Sequence, residues 1–133
     1  MFAKSRILAP LLLLSFLLSA CHTAQKFLEN GDYDDAIEFC VRKLRGKSKK
    51  KTEYVRGLEE AFARAQVRDL RLIDNLIDED RPENREKVNR LHKQIKARQQ
   101  KISPLTPLAS SDGYRAKFNF IDIDKQERES REK

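Results

Sequence analysis

Asp32-Tyr33-Asp34-Asp35-Ala36-Ile37-Glu38-Phe39-Cys40-Val41-Arg42-Lys43-Leu44 decides the fold class of this chain. Its apolar members Tyr33, Ala36, Ile37, Cys40, Val41 and Leu44 recur every three or four residues, which puts them on one face of an α-helix. Asn30-Gly31 just before it is a helix stop, because glycine accepts the left-handed conformation that ends a helix. Asp32 then offers an N-cap oxygen to the helix that follows. Composition agrees: 37% of residues are charged, there are only four glycines and no tryptophan, and seven phenylalanines leave a thin core. The fold expected is mainly α.

Gly31-Asp32-Tyr33-Asp34-Asp35-Ala36-Ile37, after a short helix bearing Phe27 and before Leu44, resembles the turn and second helix of a tetratricopeptide repeat. The resemblance implies a short antiparallel array of about four to five helices, with Ala36 where two helices approach closely. One repeat length on, Tyr54, Leu58, Ala61, Phe62 and Ala65 share a helical face, and Leu70, Ile73, Leu76 and Ile77 share another beyond Ala65-Gln66. These are taken as the two helices of a degenerate second repeat. Pro82 suits the first turn of a capping helix over 83–101, whose stripe is Val88, Leu91, Ile95 and Ile102. A generic four- or five-helix bundle is the alternative, since repeat arrays generally need about three units to bury a continuous face.

Beyond that helix the character changes. Ser103-Pro104-Leu105-Thr106-Pro107-Leu108 is a proline-stiffened connector, and Ser110-Ser111-Asp112-Gly113 is a turn. Tyr114 to Asp124 alternates, with Tyr114, Ala116, Phe118 and Phe120 opposite Arg115, Lys117 and Asn119, and this predicts one extended β segment. Having no strand partner in the chain, it is a candidate for pairing with another molecule's strand or for lying along the helices. Residues 125–133 form a charged tail, expected to be disordered or a helix stub.

Upstream, Lys4 and Arg6 precede an apolar run over 7–20, the pattern of a secretory signal. Fourteen apolar residues fall short of the roughly 20 that span a bilayer. Leu18-Ser19-Ala20-Cys21 resembles a bacterial lipobox. That resemblance implies cleavage between Ala20 and Cys21 and a lipid on the Cys21 sulfur, with a plain secretory signal as the alternative. Two or more acyl chains give stable anchoring. His22 stands where the lipoprotein pattern uses Asp to retain a protein at the inner membrane, so the expected location is the Gram-negative outer membrane, facing the periplasm. The chain then divides into a signal over 1–20, a helical domain over 21–102, a connector and strand over 103–124, and the tail. If Cys21 carries lipid, Cys40 has no disulfide partner and is expected to be a buried apolar group.

Removing the signal takes Lys4 and Arg6 with it and lowers the formal charge from +7 to +5. Arg42, Lys43, Arg45, Lys47, Lys49, Lys50 and Lys51 stand together with no acid among them. Most simply they form a solvated loop. Near a membrane each is worth about 1 kcal/mol against anionic headgroups. Arg85, Lys87, Arg90, Lys93, Lys96 and Arg98 make the capping helix basic, with Arg85, Arg90, Lys93 and Lys96 the candidate partner-binding positions. Asp34-Asp35 and Glu59-Glu60 look like helix-surface charges. Neither His22 nor His92 has a second ligand at metal-binding spacing, and no phosphate loop, nucleophile elbow or dinucleotide fingerprint occurs. The expectation is a non-enzymatic protein without a cofactor other than the lipid on Cys21. It would bind another envelope protein through its helical surface, or anionic lipid or polymer through its basic residues; a periplasmic location argues against nucleic acid.

Overall fold

The computed structural model describes residues 23–133. They form α1 (Thr23–Asn30), α2 (Tyr33–Leu44), α3 (Thr52–Asp78), α4 (Asn84–Ile102), a 3-10 turn (Ser103–Leu105) and α5 (Ile123–Glu132). The fold is mainly helical, as the spacing of apolar residues requires.

Gly31 ends α1 at φ +78, with the Asp32 amide donating to the Phe27 carbonyl at 2.9 Å and the Gly31 amide to Leu28 at 3.2 Å. These bonds satisfy carbonyls that the helix end would leave orphaned. The turn folds α2 back on α1. Asp32 occupies the N-cap position, but its side chain makes no capping bond. Ala36, Ile37, Cys40, Val41 and Leu44 are buried, as their spacing predicts. They meet Val55, Leu58, Ala61, Phe62 and Ala65 of α3 in the larger of two cores. Phe62, Ile37, Leu44 and Leu58 are among its fully buried members, each worth about 1.5–3 kcal/mol of burial.

α3 corrects one expectation. The break foreseen beyond Ala65-Gln66 does not occur, and a single 27-residue helix runs from Thr52 to Asp78. The apolar stripe shifts because the helix changes neighbours. Its first half packs on α2, whereas Ile73, with Leu70, Leu76 and Ile77, joins Val88 and Ile95 of α4 in a second core. α3 ends where Asp80 takes φ +49 and the Asn84 amide side chain donates to Leu76 O and Glu79 Oε2, both at 3.0 Å. Pro82 lies in this turn, ahead of α4 rather than inside it.

The chain after α4 is a second correction. Tyr114 to Asp124 is not a strand: the described residues contain only an isolated antiparallel bridge, Ala109 to Arg115, closed by a turn with Gly113 at φ +93. Leu108 is buried in the larger core, so the connector is part of the domain. Residues 116–122 run along the helices without regular secondary structure, the Phe120 amide turning back to the Phe118 carbonyl at 3.2 Å, and side chains supply what a neighbouring strand would have supplied. Glu59 accepts from the Tyr114 hydroxyl and the Lys117 amide. Gln66 donates to Asn119 O at 2.7 Å. Gln99 both donates to Ile121 O (3.0 Å) and accepts from Ile121 N (2.8 Å). Backbone polar groups need partners whether or not a sheet provides them. Phe118 and Phe120 meet the Phe62 ring edge-on at 5.5 and 5.6 Å between centroids.

The tail is helical as well. Asp122 caps α5 by accepting from the Lys125 amide at 3.1 Å, and Ile123 is buried in the second core. The boundary expected at residue 124 therefore falls inside a helix.

Candidate functional site

The basic stretch divides between two elements. Arg42 and Lys43 belong to the last turn of α2, where cations complement the helix dipole, and Lys43 sits 5.5 Å from the Phe39 ring centroid. Arg45, Lys47, Lys49, Lys50 and Lys51 are in the loop to α3, and all but the half-buried Lys50 are exposed. The end of that loop is fixed: Lys50 N donates to Ser111 Oγ at 2.9 Å, Ser111 N donates to Lys50 O at 2.8 Å, and Thr52 bonds Asp112. The loop is thus a cationic surface on a tethered backbone. It lies near the start of the described chain. A Cβ on Gly57 would stand 3.7 Å from the Ala24 Cβ, so the first turn of α1 packs on α3 six residues after Lys51.

The capping helix does not present all its bases together. Arg85, Arg90, Lys93 and Lys96 are exposed; Arg90 pairs with Glu86 at 2.9 Å and Lys96 with Asp124 at 3.5 Å. Arg98 does not belong to that surface. Its side chain is buried, donating to Asp34 at 2.9 and 3.1 Å and to Asp69 at 2.9 Å. Arg68 completes the group, 2.9 Å from Asp69 and 3.4 Å from Asp34. Asp34 is therefore no idle surface charge. Burial acts to raise its carboxyl pKa, but hydrogen bonding and charge from Arg98, then Arg68, outweigh burial and hold it below the ordinary value. Sequence spacing contained a signal for this that was missed. Val88, His92, Ile95, Arg98 and Ile102 follow one another at intervals of three and four, so two polar residues occupy the apolar stripe of α4.

His92 is the other. It is buried, its Nε2 has no hydrogen-bond partner among the described residues, and burial pushes its pKa down despite the nearby Glu127. It lines an open groove of about 590 Å³ between the end of α3 (Leu76, Ile77), α4 (Val88) and α5 (Glu127, Arg131).

Cys40 is a free, fully buried thiol whose pKa burial raises to about 12, with Glu53 adding to the shift, so it is an unreactive packing group. No cluster of metal-ligating side chains occurs among the described residues, and none of their helices is long and apolar enough to cross a membrane. Cys21 and the cleavage position at Ala20 lie outside the described residues. A scan against protein-family models and searches of curated proteins and of solved structures find no match to this chain.

Proposed function

We propose that this chain is a lipid-anchored interaction protein, attached through Cys21 at the periplasmic side of the outer membrane and presenting its helices to another envelope protein. One observation carries the reading. The packing of Ala24 on Gly57 puts the basic loop at the end of the bundle from which the chain leads back to Cys21. An anchor and a cationic surface at one end would seat that end on a membrane. α3, about 40 Å long at 1.5 Å per residue, and α4 would project from it. The hairpin of α1 and α2, turned by Gly31, supports the resemblance to a single tetratricopeptide unit, and α3 and α4 supply the remaining surface. Labelling with a fatty acid tests the anchor: wild type should take up label and Cys21→Ser should not. A photo-crosslinker at Lys93 should then capture a discrete neighbour in intact cells. An unlabelled wild type rejects the anchored reading, and loss of no crosslink on moving the probe to buried Ile95 rejects the partner surface.

A second reading is favoured by the exposure of that same loop: direct contact with anionic headgroups. Charge-driven binding is screened within about 8 Å at physiological salt. Association with phosphatidylglycerol vesicles should therefore weaken steeply as salt rises, and should weaken further in a Lys47→Glu, Lys49→Glu, Lys51→Glu variant.

A further inference from the structure

We propose that the groove between α3, α4 and α5 binds a small anionic amphiphile, an apolar body carrying one carboxylate or phosphate, independently of any protein partner. Its volume of about 590 Å³ lies within the range of roughly 300–1,000 Å³ in which proteins hold small molecules. Leu76, Ile77 and Val88 give it an apolar wall. His92 brings to it a buried imidazole nitrogen with no partner among the described residues. Buried polar atoms in folded proteins are nearly always satisfied, and this orphaned nitrogen, enclosed behind the groove wall, makes the ring a reporter of what enters the groove.

Charge selects the sign of that guest. The titratable groups lining the groove, His92 aside, are basic Arg81, Arg85, Arg131 and Lys133 and acidic Asp80 and Glu127. Arg131 lies 3.9 Å from Glu127. Neither Arg81 nor Arg85 has an ion-pair partner among the described residues. Both residues line the groove, and the guanidinium fork matches the geometry of carboxylate and of phosphate. The apolar body would lie on Leu76, Ile77 and Val88, with its anionic end toward Arg81 and Arg85. Leu76 is nineteen residues along α3 from Gly57, about 28 Å at 1.5 Å per residue, so the groove is remote from the basic loop.

The full chain contains only two histidines, His22 and His92, so the imidazole NMR signals can be assigned with a His22→Gln variant. The probes are octanoate, octyl phosphate and, as neutral control, octyl glucoside. A saturable shift of the His92 ring signals is expected with at least one anion, and the stronger of the two identifies the headgroup. Octyl glucoside should cause none. Arg85→Glu should weaken the titration by roughly tenfold or more, Arg85→Gln should weaken it less, and Lys26→Glu, exposed on α1, should leave it unchanged. No saturable shift with either anion, an equal response to octyl glucoside, or affinity unaltered by combined Arg81→Gln and Arg85→Gln would each overturn the proposal.

Discussion

Arg98 donates through Nη2 to Asp69 Oδ2 at 2.9 Å, with only 3% and 2% of the two side chains open to solvent. The pair stands at the seam between the two cores. Ala65 and Ile102 flank it on the larger side, Ile73 and Ile95 on the smaller. Removing one member of a buried pair typically costs about 3–5 kcal/mol, because the other charge stays buried. Here Arg68, 2.9 Å from Asp69 and 3.4 Å from Asp34, remains as a partner for both acids, so Arg98→Ala should fall near ~3 kcal/mol in chemical denaturation. The paired replacement Arg98→Met with Asp69→Leu should recover most of that loss, since apolar residues of similar size often match a buried ion pair. A double-mutant cycle checks it: additive losses would mean that the two side chains are not coupled.

Acid should destabilise the domain in two stages. Burial lowers the His92 pKa below 6.5, with Glu127 opposing and Arg131 reinforcing the shift. The unfolded chain therefore takes up this proton first, and stability declines as pH falls through about 6.5 until the folded imidazole also protonates. Asp34 is lowered from 3.8. Its contribution is full above that value and is lost as pH falls through the folded pKa. Melting temperatures from pH 7 to 3 should show both declines. His92→Gln should remove the upper one and leave the lower.

A Cβ at Gly57 would meet Cys40 Sγ at 3.1 Å and Ala24 Cβ at 3.7 Å. Alanine in a helix interior gains about 0.5–1 kcal/mol over glycine, and the tight sulfur contact offsets it. Gly57→Ala should thus be near neutral in the wild type and stabilising once Cys40→Ala has removed the sulfur. Gly57→Leu should cost about 1–3 kcal/mol by overpacking. Comparison of denaturation midpoints in the two backgrounds decides the matter; an identical response in both would show that the sulfur contact is immaterial.

The amides of Lys117 and Ile121 have partners within the chain, Glu59 and Gln99. Both should exchange slowly with deuterium at every protein concentration. Gln99→Ala should release Ile121 selectively. Protection that appears only at high concentration would mean that these bonds form between molecules instead.

Where local spacing and tertiary packing agree, the fold was legible. Tyr33 to Leu44 is the clearest case, since α2 buries a single stripe against neighbours on one side. The stripe of α3 turns from α2 toward α4 near Gln66, and in sequence such a change of neighbour has the same signature as a change of helix. The alternation after Tyr114 matches the exposure of Arg115, Lys117 and Asn119 against half-buried Tyr114, Ala116 and Phe118, but not the strand it predicts. It could not report that glutamine and glutamate side chains take the place of a strand. Phe120, assigned to the packed side, remains 42% exposed. Arg98 reaches Asp34 across 64 positions of sequence, a distance at which local spacing carries no information about pairing. The place of His92 in the α4 stripe, three residues before Ile95 and four after Val88, already implies its burial.

The unbroken run of α3 has a mechanical consequence. A helical hairpin at Ala65-Gln66 would have let the two halves hinge, whereas one 27-residue rod couples them rigidly. A tilt of roughly 15° at Thr52 swings Asp78 through about 10 Å, given a rise of 1.5 Å per residue. Along such a rod a small change of attitude at one end becomes a large displacement at the other.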